Sequence, residues 1–268
     1  MKISIVTISY NQGKFLERAI LSVVNQKSDV DLEYIVVDPG STDESREIIN
    51  KYRDVIDNVV LEPDQGPSDG LNKGFACATG DIYGYLNADD MFSSGALKEA
   101  VGYFTDHTDV DVVSAHGEII DEYDNVLQKC FSHKFNLLRY AEGNCVLVQQ
   151  STFFRANIFK EIGGFNKDNR ISWDGELMVD MALNNARFDR LHRYWSKFRV
   201  YGESISGSGA FLEKAAVEHA RIAGKIGLTD IGAGKKKIYW LLSRLSDPVL
   251  LLLRVIDGLR HGRRVISS

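Results

Sequence analysis

Over the first hundred residues, short apolar runs alternate with stretches in which apolar side chains recur every three or four positions. Residues 3–8 (ISIVTI) form the first run, and 32–38 (LEYIVVD), 58–62 (NVVLE) and 81–87 (DIYGYLN) repeat it. The second run is apolar without alternation, the pattern of a strand buried on both faces. Between the runs lie helical patterns. One covers 14–25, with Phe15, Ala19, Ile20, Val23 and Val24 on one face. A second, STDESREIINKY, is expected to open at Ser41 or Thr42 with acids in its first turn, and a third covers PSDGLNKGFACA. Strands alternating with helices predict right-handed βαβ units and a parallel sheet.

Beyond Met91 the pattern becomes mixed. A helix near 95–104 precedes VDVVSA and GEIIDEYDNVLQK, which read as an antiparallel hairpin or meander. STFFR is expected to be a strand, followed by a helix over 156–162 that stops at Gly163-Gly164. A further helix covers 174–185, with Leu177, Met181 and Met178 facing inward. Residues 188–208 read as short strands and a Gly/Ser-rich loop, and helices fill 211–226 and most of the chain after Lys235.

Of the 268 residues, 44% are hydrophobic and 26% charged, which suits a globular α/β chain. The net charge of −5 argues against nucleic acid as a partner. That charge is unevenly spread. From Lys235 onward eight Lys and Arg face two Asp, a net +6, which leaves −11 on the rest. Cys77, Cys130 and Cys145 have no zinc or disulfide spacing and read as small buried hydrophobes in a reducing, cytoplasmic setting. MKISIVTISY reads as a strand rather than a secretory leader, and no run reaches the roughly 20 apolar residues of a membrane span.

In open parallel sheets, ligands sit at the carboxyl ends of the strands. Here those ends carry Ser9-Tyr10-Asn11, Asp38 and Asp89-Asp90. Adjacent carboxylates repel, and a divalent cation that also grips a diphosphate is one way to keep both ionised. A solvated loop or a helix cap is the other reading of the pair. Asp38 is able to accept the imide N–H of uracil, or simply to close the Pro39-Gly40 turn.

Taken in order, SIVTISYN, VVDPGSTDES, EPDQGPSDGLNKGFACATGD, YLNADD, QQSTFFR, IGGF and SWDGEL resemble the family 2 glycosyltransferases over residues 1–208. The resemblance implies a GT-A fold, an α/β Rossmann-like, mostly parallel sheet with a smaller mixed part. It divides the chain into a nucleotide-sugar half (1–104), an acceptor half (105–208) and C-terminal helices (209–268). It implies that Tyr10 and Asp38 hold the base. Asp69, Asn72 and Gln150 become donor-side candidates, Asp89 contacts ribose or metal, and Asp90 binds the metal, Mn²⁺ or Mg²⁺. Asp174 becomes the general base that takes a proton from the acceptor hydroxyl, and one base without a carboxylate nucleophile implies inversion. The donor is a nucleotide diphosphate sugar, with UDP favoured, and the acceptor a glycan or lipid-linked glycan. The chain departs from the family at Pro39, Gln149 and Tyr201; many relatives have His at the last two positions.

A nucleotidyltransferase would favour a Gly-rich basic loop, which ISYNQGK does not supply. A non-catalytic module would be expected to lack Asp90 or Asp174, and both are present. In the tail, Arg244, Arg254, Arg260, Arg263 and Arg264 with Tyr239 and Trp240 suit a helix lying on an anionic membrane. Alternatively Leu242, Leu245, Leu250 and Leu253 pack on the domain or on a second copy in a homo-oligomer. A tail of the first kind implies a peripheral enzyme at the inner face of the cell membrane.

Overall fold

The computed structural model describes residues 1–202, 212–227 and 247–261. Nine strands form one sheet, in the order β3-β2-β1-β4-β8-β6-β9-β5, with β7 paired to β6. Strands β1 (Ile3–Ile8), β2 (Leu32–Val37), β3 (Asn58–Val60) and β4 (Ile82–Asn87) are mutually parallel. They are linked by α1 (Gly13–Val24), α2 (Ser45–Lys51) and α3 (Pro67–Ala76). Side chains alternate across the sheet. Ile3 and Ile5 therefore join a core under α1 and α4 (Ala96–Asp106), whereas Val6 joins Leu71, Phe75, Tyr85 and Leu177 on the other face.

The second half extends the same sheet. Short β5 (Met91–Phe92) follows the Asp pair, and β6 (Val112–Ile120) and β7 (Val126–Cys130) form the expected antiparallel hairpin. After α5 (Leu137–Ala141) come β8 (Thr152–Arg155), α6 (Ala156–Glu161) and α7 (Trp173–Leu183). Residues 188–199 differ from expectation: they make one twelve-residue strand, β9 (Phe188–Arg199), rather than short pieces. Register shifts near His116 let β9 stay paired along β6, so one long strand spans what reads as broken in sequence.

Helix α2 starts at Ser45, later than Ser41 or Thr42. The intervening side chains are engaged elsewhere: Ser41 Oγ accepts from the Asn11 N–H and Asp43 from the Gly13 N–H, which tie the β1 and β2 loops together. The three cysteines form no disulfide and are half-buried rather than buried. Helix α8 (Leu212–Lys225) inserts Ile222 into the core beside α7. Helix α9 (Pro248–His261) starts at Pro248 and packs along β7 through the buried Leu250. No helix among the described residues is long and apolar enough to cross a membrane. Tyr239, Trp240, Leu242, Arg244, Leu245, Arg263 and Arg264 lie outside the described residues, as does the side chain of Arg260.

Candidate functional site

The carboxyl ends of β1, β2 and β4 open on one cavity of about 660 Å³. Its wall includes Ser9, Tyr10, Gln12, Pro39, Gly40, Asp64, Asn87, Asp89, Arg170, Trp173, Arg199 and Tyr201. Tyr10 is 62% exposed at this wall, and such a ring offers a face on which a base can stack. The chain turns away from β1 at Asn11, whose φ of 52° is left-handed; its side chain accepts from the Thr42 N–H at 2.8 Å. Strain at a non-glycine residue is thus held in place by the neighbouring strand's loop.

Asp38 lies beneath the Pro39-Gly40 wall and is fully buried. Its Oδ1 accepts from the Gly40 and Ser41 N–H groups at 3.1 and 2.8 Å and from Arg46 Nε at 3.3 Å. Its Oδ2 has no hydrogen-bond partner, and neither does the buried Ser9 Oγ. A buried carboxylate oxygen without a donor is costly, so Oδ2 keeps an unused acceptor position just beneath the cavity wall.

The acids after β4 face different ways. Asp89 is half-buried in the cavity wall and accepts from the Tyr201 hydroxyl at 3.2 Å. Asp90 is 1% exposed and does not line the cavity. Its Oδ2 accepts from Gln150 Nε2 at 2.6 Å and Asn87 Nδ2 at 3.2 Å, and its Oδ1 from the Arg199 N–H at 2.9 Å. Burial raises both acids' pKa values, that of Asp90 well above the ordinary range because Asp89 adds repulsion. Burial and Asp89 also push Tyr201 up to about 12, so its hydroxyl remains a donor at neutral pH.

A smaller cavity of about 240 Å³ adjoins the first through Ile171, which lines both. Tyr85, Tyr140, Cys145, Gln149 and Met178 help to line it, and Asp174 is the one acid in its wall. Asp174 opens α7, where its Oδ1 accepts from the Gly175 N–H at 2.8 Å. Burial raises its pKa despite that bond, and a perturbed carboxyl in a cavity wall is a candidate functional group. Position 175 favours glycine, since a Cβ there would overlap the Tyr140 hydroxyl.

Helix α7 is anchored two residues further on. The fully buried Glu176 accepts from Asn169 Nδ2 (2.7 Å), Asn166 Nδ2 (3.1 Å), Arg221 Nη1 (2.9 Å) and Lys225 Nζ (2.7 Å). Burial pushes its pKa up, but these donors outweigh that and hold it at about 2. Helix α7, the loop carrying Arg170 and helix α8 are thereby tied to one carboxylate.

Of the residues expected from sequence, Tyr10 and Asp89 line the large cavity, with Asp38 beneath it, and Asp174 lines the small one. Asp69, Asn72 and Gln150 are not brought to either. Asp69 pairs with Lys73 at 3.4 Å and Lys167 at 2.9 Å, and Asn72 clamps the Phe165 backbone through two 2.9 Å bonds. Both brace α3 against the loop after α6. Gln150 instead holds Asp90. Sequence reading missed Arg199, Asp64 and Arg170. Arg199 is 1% exposed, bonds to the carbonyls of Asp89 and Asp121, and stacks 4.6 Å from the Phe15 ring. No sequence signal marks Arg199, because the strand it ends reads as short pieces.

Among the described residues no three His, Cys, Asp or Glu side chains converge as a metal cage. The wall does present hard oxygens: the Asp89 carboxylate, the Tyr201 hydroxyl and Gln12 Oε1, which accepts from Tyr201 at 3.2 Å. That set fits a hard divalent cation that keeps most of its positions for water and substrate phosphate.

The model of the family described as glycosyl transferase family 2 matches residues 4–163. An uncharacterised glycosyltransferase of Nostoc sp. is 36% identical over 83% of this chain and 72% of its own length. A PGL/p-HBAD biosynthesis glycosyltransferase of Mycobacterium bovis is 25% identical, over 84% of this chain and 86% of its own. Among solved structures, S. aureus TarS in complex with UDP-GlcNAc superposes with a TM-score of 0.69 at 21% identity, over 99% of this chain and 77% of TarS 1-349. The Pyrobaculum calidifontis mannosyltransferase PcManGT in complex with GDP-Man and Mn²⁺ gives 0.63 at 18% identity, over 98% of this chain and 76% of its own. These structures share the GT-A fold, and the sequence matches carry the assignment: the chain belongs to glycosyl transferase family 2 and is a glycosyltransferase.

Proposed function

We propose that the chain transfers a sugar, with inversion, from a UDP-sugar to a hydroxyl of a glycan or lipid-linked glycan. The observation that carries this reading is the pair of adjoining cavities sharing Ile171, with Asp89 in the wall of one and Asp174 in the wall of the other. The large one suits the donor: Tyr10 stacks the base and Asp38 Oδ2 accepts its imide N–H. Asp89 with Tyr201, and Arg170 at the same wall, meet the ribose and diphosphate. A divalent cation, Mn²⁺ or Mg²⁺, held by Asp89, would offset charge on the leaving diphosphate. Asp90, held behind it, keeps the turn that aims Asp89.

The small cavity suits the acceptor. Asp174 takes the proton of the acceptor hydroxyl as its oxygen bonds to the anomeric carbon and the bond to the diphosphate oxygen breaks. A single acid in that wall supports one direct displacement, hence inversion. Nucleotide sugars are made in the cytoplasm, so such an enzyme would work at the inner face of the membrane that holds lipid-linked acceptors.

A thermal-shift screen of UDP, GDP and TDP with and without Mn²⁺ tests the donor assignment. UDP with Mn²⁺ is expected to raise the melting temperature most. A larger shift with GDP would overturn the uridine assignment, and no shift with any of the three would overturn the site.

A further inference from the structure

Helix α9 carries its polar side toward the protein and its apolar side outward. Arg254 Nη2 meets His133 Nε2 at 3.2 Å, and Asp257 Oδ1 accepts from the Lys129 backbone N–H at 3.3 Å. Asp247, just before the helix, pairs with Arg190, and Leu250 is 2% exposed. Arg254, expected on the membrane side, therefore belongs to the docking face. On the other side stand Val249, Leu251, Leu252, Val255, Ile256 and Leu259. Six of the fifteen large exposed hydrophobics among the described residues thus lie within eleven consecutive positions. Surface helices of soluble domains show the reverse arrangement, and a contiguous exposed apolar patch marks a contact surface.

We propose that this face of α9 seats the enzyme on an anionic lipid bilayer. Charge decides between the candidate occupants. Lys235, Lys236, Lys237 and Arg244 precede the helix in sequence, Arg263 and Arg264 follow it, and the tail carries +6 against −11 for the rest. A second copy docking on the same face would bring two such tails together. An anionic leaflet attracts the tail while repelling the body, and so also orients the enzyme. The helix has 14 residues, so it is about 21 Å long and shorter than the roughly 30 Å hydrocarbon core. It lies on the surface with its apolar side chains sunk into the headgroup boundary. Its inward contacts to His133, Lys129 and Arg190 hold the catalytic sheet at a fixed attitude to the membrane. This inference deepens the membrane-side reading above by naming the surface; its test reads lipid binding rather than nucleotide binding or transfer, so the two can fail separately.

The test is co-sedimentation of the full chain with phosphatidylcholine vesicles, with and without phosphatidylglycerol. Wild type is expected to sediment with the anionic vesicles only, and less so as salt rises. Leu252→Glu/Leu259→Glu, changed at positions 59% and 82% exposed, is expected to weaken binding roughly tenfold or more while its UDP thermal shift is unchanged. Val217→Glu, at a 68% exposed position on α8, is expected to bind like wild type. Equal binding by the double variant, binding to neutral vesicles as strong as to anionic ones, or no vesicle binding by wild type would each overturn the proposal. A double variant that turns an oligomer into a monomer, with no lipid effect, would assign the face to a second copy.

Discussion

Gln150 Nε2 donates to Asp90 Oδ2 over 2.6 Å, and together with Asn87 and the Arg199 N–H it makes Asp90 a buried acceptor of three hydrogen bonds. Neighbouring acids thereby differ in surroundings, Asp90 enclosed by donors and Asp89 in the cavity wall. Burial disfavours the charge of Asp90, but Asp90→Asn also places an amide NH₂ against groups that already donate; that lost hydrogen bonding is expected to outweigh the relief and to cost about 1 kcal/mol of stability. Asp89→Asn is expected to leave stability nearly unchanged and to abolish the Mn²⁺-dependent part of UDP binding. Chemical denaturation and calorimetry on both variants check this; a stable Asp90→Asn protein with Mn²⁺ dependence lost would reverse the roles.

Asp38→Asn separates the turn from the proposed base contact. Its side-chain carbonyl still accepts from the Gly40 and Ser41 N–H groups, as Oδ1 does now. The other oxygen becomes a donor facing the base. UDP affinity is expected to fall by about tenfold or more, the loss of roughly 1.4 kcal/mol, with the melting temperature little changed. Titration calorimetry with UDP measures it.

Glu176 predicts an acid-side loss of stability. Its carboxyl titrates near 4.3 when unfolded and at about 2 when folded, so its contribution is present above the higher value and is lost as pH falls toward 2. Glu176→Gln should flatten that part of the pH profile. At neutral pH the loss is expected to be about 1–3 kcal/mol, below the figure for a sealed ion pair because Arg221 and Lys225 keep 40% and 34% exposure. Urea unfolding from pH 6 to pH 2.5 is the measurement.

The parallel half of the sheet was legible because strands buried on both faces are apolar throughout, and because polar residues stand where β1, β2 and β4 end. Asp174 was legible as the acid opening a helix. Which member of Asp89-Asp90 faces the cavity was not, since it depends on β9 delivering the Arg199 N–H from 109 residues away. The same holds for Asp69 and Asn72, whose partners Lys167 and Phe165 are distant in sequence and turn them into braces. Helical periodicity gave α9 an apolar side, but only His133, Lys129 and Arg190 determine that this side faces outward.

Burial raises the pKa of Asp174, so transfer is expected to decline with falling pH sooner than an ordinary carboxylate of pKa about 3.9 would dictate. Because folding disfavours its ionised form, its charge costs stability above that raised pKa, and Asp174→Asn should melt higher than wild type at neutral pH. A melting temperature below that of wild type would count against this.

The most direct test of the account is sugar transfer by Asp174→Asn, followed as UDP release from a UDP-sugar in the presence of a membrane glycan fraction. UDP affinity is measured on the same preparation. The account predicts affinity within about twofold of wild type and transfer slower by roughly 10² or more, the range of a lost general base. Transfer within a few-fold of wild type would contradict it and move the base elsewhere.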